Sequence, residues 1–235
     1  MSDGTHVRSV LGGSAHFHTI PAEVLDQLAA LAKVERFRHG ELVQPAWQRL
    51  DRFWIVMKGG LRCTVHATDG SATTVAVFGR GSYFGSGALT DDTREPIEVL
   101  AIGPTELAAW DVADLQPLIE GNEEAQRFLR TLIHRRVLAV ATLYRDAVAA
   151  PLPERIARRL LSQALAAGSS EASAETTLHL SQQDLATMVG ASRTSVSEEL
   201  QQLERNGAVR LGYRTVVVRD LLGLLKLAGT DVFPL

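Results

Sequence analysis

The sequence has few of the features that would mark a membrane, disulfide-bonded or metal-cluster protein. Its 235 residues include a single cysteine, Cys63, which excludes an internal disulfide and a cysteine-ligated iron–sulfur centre. No apolar run approaches the ~18 residues that a membrane-spanning helix needs, and the N-terminus lacks the apolar core of a signal peptide. We therefore expect a globular protein of the cytoplasm that has no contact with a membrane.

The histidines offer no convincing metal site either. Cys63 and His66 are three positions apart on a predicted strand, so their side chains point to opposite faces of it. His16 and His18 could share a strand face, but no third ligand lies near them in the sequence. No set of nucleophile and base stands out. We expect neither a metal, nor a bound cofactor, nor an enzyme.

The segment Leu178–Gly207 has the spacing of a helix–turn–helix. Ser181 is a hydroxyl N-cap for a first helix that reaches about Val189. Gly190 can take the positive φ of the turn, and Ser192 caps a second helix that ends near Asn206-Gly207. Apolar residues recur at steps of three and four and would hold the two helices together: they are Leu185, Ala186, Val189, Val196, Leu200 and Leu203.

The polar residues left outward lie near the start of the second helix, where a recognition helix meets base edges. After the capping Ser192 they are Arg193, Thr194, Ser197 and Glu198. A helical hairpin that never touches nucleic acid is the alternative. It is disfavoured because two short strands follow, Ala208–Leu211 and Arg214–Val218, which complete a winged helix. Tyr213 and Arg214 at the tip of the wing are candidate phosphate contacts.

The charge balance limits how this unit can bind DNA. Residues 151–235 contain nine Lys/Arg and nine Asp/Glu, whereas DNA-binding domains are usually basic. The interaction must therefore come from the local placement of Arg193, Arg210, Arg214 and Arg219 and from helix N-termini.

The part that precedes the helix–turn–helix has a different pattern. Ile20–Lys33 is predicted to be an amphipathic helix, and Glu35 to Asp111 contains short alternating runs separated by glycine, typical of an antiparallel roll. The strongest hairpin signal there is Asp69-Gly70. Asp114–Ala150 is predicted to be helical again, and its apolar seam is suited to pairing with a second copy: Ile133, Val137, Val140, Tyr144 and Ala147.

Two prolines, Pro151 and Pro153, then break the helix and indicate a hinge. Glu154–Ala167 is predicted to be a short helix, and Gly168–Thr177 a polar loop. We therefore place a sensor-like domain at 1–115, a dimerisation helix at 116–150 and a DNA-binding domain at 151–235.

This organisation resembles the catabolite activator and fumarate–nitrate regulator (Crp/Fnr) superfamily of bacterial transcription factors. The resemblance covers about residues 20–227 and is carried by FRHGEL (37–42), GSYFG (81–85), PERIARRLL (153–161) and the winged helix. It implies an α+β fold with a cyclic-nucleotide-binding-like β-roll, a long dimerisation helix and a C-terminal winged helix-turn-helix. It also implies that Ser181, Gln182 and Gln183 position the DNA phosphates.

The effector pocket that the resemblance implies departs from the pattern of cyclic-AMP-binding members. Gly85 is kept, but Ser86 stands where those members carry a ribose-binding glutamate. The pair that holds their phosphate falls on Arg94-Glu95, where the carboxylate would repel an anion. Their adenine contacts fall on Val140 and Ala141, which are apolar. Cyclic AMP is therefore not expected to bind in the family manner, and a site rearranged around Arg94 is the alternative.

The recognition helix also departs from the pattern. Members that read the common half-site carry Arg, Glu and Arg where this chain has Arg193, Thr194 and Glu198, so we expect a different target sequence.

The sequence thus predicts a homodimeric, sequence-specific regulator on a pseudo-palindromic operator. Its expected partners are double-stranded DNA, RNA polymerase and a small-molecule effector. A regulatory ligand-binding module of an enzyme or channel is the other class of function, but such a module would lack residues 178–219.

Overall fold

The computed structural model describes residues 3–14, 16–17, 20–68, 70, 72–90, 94–166 and 175–229. The side chains of Leu143 and Ala147 are not among the parts described, so the seam position predicted at Ala147 lies outside them. Within these ranges, no helix is both long and apolar enough to cross a membrane.

The N-terminal half is a sheet with helices before and after it. Its elements are α1 (Asp3–Gly13), α2 (Ala22–Leu31), β1 (Lys33–Phe37), β2 (Leu42–Gln44), β3 (Arg52–His66), β4 (Ala72–Phe78), β5 (Tyr83–Phe84), a 3₁₀ turn (Ser86–Leu89), β6 (Ile97–Asp111), α3 (Val112–Glu120) and α4 (Glu123–Ala149). The helix α1 was not predicted. It is short and carries only a weak apolar stripe, of which Val7, Val10 and Leu11 are buried.

The strands form one antiparallel sheet in the order β1-β6-β3-β4, with β2 paired to β6 and β5 paired to β3. The two longest strands, β3 and β6, change register on either side of Lys58, which marks bulges that bend the sheet. Gly59 lies at this bend with φ = 76°, and a Cβ there would lie 2.5 Å from the carbonyl oxygen of Pro104. The predicted roll and the pairing of β3 with β4 are thus present, whereas Asp69 of the predicted Asp69-Gly70 turn lies outside the described residues.

The helical segment that follows the roll is two helices rather than one. A break at Gly121-Asn122 separates α3 from α4, and the Asn122 side chain accepts hydrogen bonds from the amides of Glu124 and Ala125. Residues 116–120, which the sequence-based boundaries assign to the dimerisation helix, therefore belong to α3. Trp110, Leu115 and Leu132 belong to the apolar core that joins these helices to the roll.

The C-terminal half is a winged helix. It consists of α5 (Leu152–Ala166), β7 (Thr176–Leu178), α6 (Gln182–Val189), α7 (Arg193–Arg205), β8 (Val209–Gly212), β9 (Thr215–Val218) and α8 (Leu221–Ala228). The predicted polar loop 168–177 is wrong at its end, because Thr176 and Thr177 pair with Val218 and Val217 of β9. Residues 168–174 of that predicted loop lie outside the described part of the chain. Of the two prolines predicted to break the helix, Pro153 does not do so. It lies in the first turn of α5, where its missing N–H is tolerated.

The two halves are in direct contact. Val77 of β4 is 3% exposed and belongs to the apolar core of the winged helix. The Gln163 amide of α5 donates to the Val77 carbonyl, and the Arg62 guanidinium of β3 lies 2.9 Å from the Asp184 carboxylate of α6. In this structure the winged helix is therefore held against β3 and β4 of the roll.

Candidate nucleic-acid interface

The predicted helix–turn–helix is confirmed in its local geometry. The Ser181 hydroxyl accepts a hydrogen bond from the Asp184 amide at the start of α6, and Ser192 accepts one from the Ser195 amide at the start of α7. Gly190 has φ = 64° between the helices. The six predicted packing residues are all buried, with Leu185, Ala186, Val196 and Leu200 at 0% exposure. This unit could be predicted from the sequence because its caps, its turn and the packing of its two helices depend on residues that are close together in the chain.

The buried side of α7 fixes what its other side presents. Since Val196, Leu200 and Leu203 face the core, Arg193, Thr194 and Glu198 are left exposed near the N-terminus of the helix. Ser197 is half-buried beside them. One cation, one carboxylate and two hydroxyls therefore face outward on the first two turns, a set able to read base edges.

The wing places a second group next to this helix. β8 and β9 pair from Val209 to Val218, and the turn between them is Tyr213-Arg214, whereas the predicted strands left Gly212-Tyr213 as the turn. Tyr213 is 93% exposed, and Arg214 has a positive φ of 54°. The carboxylate of Glu175 is shared by Arg210 at 3.5 Å and Arg219 at 2.9 Å. Arg214 is thus the arginine that the tip itself presents.

The polar groups at the N-terminus of α6 form hydrogen bonds and an ion pair with other residues of the protein. The Ser181 hydroxyl accepts from the Asp184 amide, and the Asp184 carboxylate accepts from the Ser181 amide at 3.4 Å, which closes a capping box. The Ser181 hydroxyl also donates to that carboxylate at 2.5 Å. Asp184 is only 7% exposed because Arg62 of the roll covers it. Gln183 is exposed and Gln182 half-buried, so of the three predicted phosphate contacts Gln183 is the freest. Sequence spacing gives no signal for the Arg62–Asp184 pair, which joins residues 122 positions apart.

Three arginines of α5 hold the winged helix together. Arg155 donates to the carbonyl of Val189, Arg159 to that of Met188 and Arg158 to that of Ala228. These carbonyls lie at the C-terminal ends of α6 and α8, where backbone acceptors lack helical partners and positive charge is favourable. Burial lowers the pKa of Arg159 to about 10, which still leaves the guanidinium charged at neutral pH. Arg158 also pairs with Asp146 of α4, so α5 links the long helix to the winged helix.

The predicted dimer seam is an exposed apolar stripe on α4. Val137, Val140 and Tyr144 are 60%, 56% and 74% exposed, and the stripe continues to Val148 at 71%. Ile133 is half-buried. The opposite side of the same helix is in the core, with Leu132 and Ala139 at 2% and 3% exposure. The helix therefore presents one apolar face to its own roll and another to solvent.

The predicted effector pocket is only partly assembled. Gly85 has φ = 89°, and a Cβ there would lie 2.3 Å from the Arg52 carbonyl oxygen, so this position requires glycine. Ser86 is half-buried, beginning the 3₁₀ turn. Arg94 is exposed and forms a β-bridge with Arg49. Val140 and Ala141 are exposed on α4, so neither is held against Gly85 in this structure.

Arg136 is a polar residue of the roll interior that sequence reasoning missed. Arg136 of α4 donates to the Tyr83 carbonyl at 2.9 Å, and its guanidinium lies 4.5 Å from the centre of the Tyr83 ring and 5.0 Å from that of Phe78. Burial raises the pKa of Glu95, and the positive charge of Arg136 partly opposes this rise. Burial also raises the pKa of Cys63 to about 12. The spacing of Arg130, Arg135 and Arg136 along the charged helix α4 did not predict that the Arg136 side chain would point into the roll.

Comparison with known proteins agrees with both halves of the fold. Residues 34–122 match the family described as cyclic nucleotide-binding domain, and residues 154–227 match the Crp-like helix-turn-helix domain. A CRP-like cAMP-activated global transcriptional regulator of Mycobacterium tuberculosis is 24% identical over 90% of this chain and 95% of its own. The cyclic AMP receptor protein of Thermus thermophilus is 28% identical over 92% and 97%.

Among solved structures, FixK2 from Bradyrhizobium japonicum superposes with a TM-score of 0.70 at 20% identity, covering 85% of this chain and 98% of that one. At this identity the likeness shows the fold. It supports the predicted succession of β-roll, long helix and winged helix.

Proposed function

The chain belongs to the Crp/Fnr superfamily of transcription regulators, and on that premise we propose that it binds a pseudo-palindromic operator as a homodimer. The single observation that carries the proposal is the α7 surface. Arg193, Thr194 and Glu198 are exposed at the start of a helix whose other side is fixed by buried Val196 and Leu200. A rigidly backed helix that presents a few polar side chains fits the major groove.

The readout we propose for α7 follows from the chemistry of its three exposed side chains. The Arg193 guanidinium suits guanine O6 and N7, the Thr194 methyl suits a thymine methyl, and the Glu198 carboxylate suits the amino group of cytosine. Phosphate contacts would come from Gln183 and from the wing tip, where Arg214 and the Tyr213 hydroxyl are available.

Homodimerisation is supported by the apolar stripe of α4. A second copy is the occupant that fits best, because a stripe related by a two-fold axis meets its own apolar residues. Two recognition helices would then lie about one helical turn of DNA apart. Contact with RNA polymerase stays a prediction from the superfamily.

The effector is proposed not to be cyclic AMP, although relatives are described as cAMP-activated. Ser86 lacks the carboxylate that would accept two ribose hydroxyls. Glu95 places a half-buried carboxyl near the Arg136 guanidinium, so an incoming phosphate would compete with it. Cyclic-nucleotide control through a rearranged pocket around Arg94 is the alternative, and the exposure of Arg94 leaves its guanidinium accessible.

Selection of bound sequences from random duplex DNA tests the DNA-binding proposal. We expect an inverted repeat whose half-sites are centred about 10 base pairs apart. A single unrepeated motif, or no enrichment at all, would contradict it. Repeating the selection at two salt concentrations separates sequence readout from phosphate attraction, because only the latter falls steeply with salt.

Calorimetric titration tests the effector proposal. We expect no micromolar binding of cyclic AMP or cyclic GMP to the DNA-free protein. Micromolar binding that Arg94→Ala abolishes, while the matched surface variant Arg38→Ala keeps it, would instead establish the rearranged pocket.

A further inference from the structure

A cleft of about 350 Å³ lies between the roll and the winged helix, outside the pocket of Gly85 and Arg94. Its roll side is formed by the bend at Lys58–Gly60 and by the loop after β4, which includes Arg80. Its other side is formed by residues 177–180, which include His179, and by Gln163 of α5. His6 of α1 also lines the cleft. The volume is in the range of small-molecule sites.

The polar lining of this cleft is cationic. Lys58, Arg80 and His179 are exposed in it, and His6 is half-buried. None of the described residues that line it is an aspartate or glutamate, and neither Lys58 nor Arg80 forms an ion pair within the described chain.

Two described carboxylates on adjoining elements are paired with arginines that do not line the cleft. Asp184 is paired with Arg62 at 2.9 Å. Glu106 lies opposite Lys58 in the pairing of β3 with β6, but its carboxylate is 3.6 Å from Arg36 and forms no ion pair with Lys58. Among the described residues, the lining of the cleft therefore has an excess of positive charge, which favours an anion in it.

The other lining groups are apolar or fixed. Met57, Phe78, Leu178 and Leu180 give the cleft a buried hydrophobic wall. Gln163 is 4% exposed, and its amide nitrogen donates to the Val77 carbonyl at 2.5 Å, a hydrogen bond that joins the two sides of the cleft. A ligand that suits both parts combines a negative group with an apolar body.

We propose that this cleft is an effector site for a small organic anion, a phosphate or carboxylate that carries an apolar group. Lys58 and Arg80 would bind the anionic group from the roll, and His179 from the winged helix. The apolar body would lie against Phe78 and Leu178.

The inference rests on the proposed DNA-binding function for its regulatory meaning. A ligand that contacts both sides of the cleft stabilises the docked arrangement of the winged helix relative to any arrangement that opens the cleft. The Arg62–Asp184 pair and the Gln163–Val77 hydrogen bond define that docked arrangement. The site would thus act on the orientation of α7 without involving the pocket inside the roll.

The test uses the full-length, DNA-free protein and four probes at constant ionic strength: phenyl phosphate, phenylacetate, inorganic phosphate and benzyl alcohol. Amide chemical shifts of Gly79 and Arg80 on one side and of Thr177 and His179 on the other report where each probe binds. We expect saturable shifts on both sides with phenyl phosphate or phenylacetate, the stronger of the two identifying the anionic group. Inorganic phosphate and benzyl alcohol should each bind more weakly.

Variants make the assignment specific. Lys58→Gln and Arg80→Gln should each weaken binding about tenfold, as expected when one charge-assisted contact is lost. Arg38→Gln removes an exposed arginine of the roll outside the cleft and should leave binding unchanged. Thermal unfolding of each variant verifies that the fold is kept.

Other outcomes would overturn the proposal. Shifts confined to one side, or equal weakening by Arg38→Gln, would show non-specific attraction to surface charge. Loss of DNA affinity in Lys58→Gln or Arg80→Gln without any probe binding to the parent protein would assign these cations to the DNA surface. Because probe binding is measured without DNA, failure of the cleft proposal leaves the DNA-binding proposal standing, and the reverse also holds.

Discussion

Replacing Tyr144 by glutamate tests the apolar stripe of α4 most directly. Tyr144 is 74% exposed in the single chain and lies between Val140 and Val148, at 56% and 71%. If these side chains meet their copies, each buries its exposed part in the dimer. In the dimer, the glutamate carboxylate would be removed from water and would lie beside the same carboxylate of the second copy. Burial of such an unpaired charge is costly.

The magnitude follows from the exposed fractions. Full burial of a large apolar side chain stabilises by about 1.5–3 kcal/mol, so the exposed parts of Val137, Val140, Tyr144 and Val148 give about 4–8 kcal/mol per protomer. Two protomers give about 8–16 kcal/mol, against about 4–15 kcal/mol for lost rigid-body freedom. The surplus is therefore small. Loss of both Tyr144 side chains, about 2–4 kcal/mol in all, should weaken the dimer by about fortyfold to a thousandfold before the charge penalty is added.

Sedimentation velocity over a concentration series measures this change. We expect the parent protein to sediment as a dimer and Tyr144→Glu as a monomer with unchanged helical circular dichroism. Thr131→Glu, an exposed position of the same helix outside the stripe, is the matched control and should stay dimeric. A Tyr144→Glu protein that remains dimeric would refute the reasoning and show that the stripe is not the interface.

Three further perturbations address separate parts of the molecule. Arg193→Ala should cost about 1–3 kcal/mol of operator binding and relax preference at one base position; equal loss on specific and random duplexes in a competition assay would make Arg193 a phosphate contact. Arg155→Met leaves the Val189 carbonyl without its 2.7 Å donor, so urea unfolding should show a loss of about 1–3 kcal/mol, whereas Arg205→Met on the surface should be near neutral. Burial raises the pKa of Cys63 from 9.0 to about 12, so the stabilising contribution of the buried thiol is complete below pH 9 and is lost as pH rises from there toward 12. Cys63→Ser should therefore show a smaller loss of stability than the parent protein between pH 9 and 12. Rapid alkylation of the native thiol at pH 9 would contradict its burial.

Local chemistry explains why the DNA-binding unit could be predicted so closely. The caps at Ser181 and Ser192, the positive φ of Gly190 and the spacing of Leu185, Val196 and Leu200 all act within a few residues. The same holds for the exposed stripe of α4, because helical periodicity alone places Val137, Val140 and Tyr144 on one face. The sequence could not show which partner each of these faces would contact.

The helix α1 and the strand β7 show the limit for weak local patterns. α1 carries only a weak apolar stripe, and its helical state depends on Val7, Val10 and Leu11 packing against α2 and the roll. β7 is three residues long and forms because Thr176 and Thr177 pair with β9 at its edge. Tertiary contact decides such segments, since their intrinsic preference is too small to do so.

The sequence by itself determined the helix–turn–helix, its exposed recognition face, the wing and the apolar stripe, since each depends on capping, turn geometry or periodicity within a short stretch of chain. Only the tertiary structure decided that Arg136 turns inward over Tyr83 and that Arg62 covers Asp184. It also decided that Lys58 and His179 face one cleft. Charged side chains on a helix or strand are compatible with several environments. Which one each occupies depends on how distant segments pack, and the spacing of residues along the chain carries no record of that.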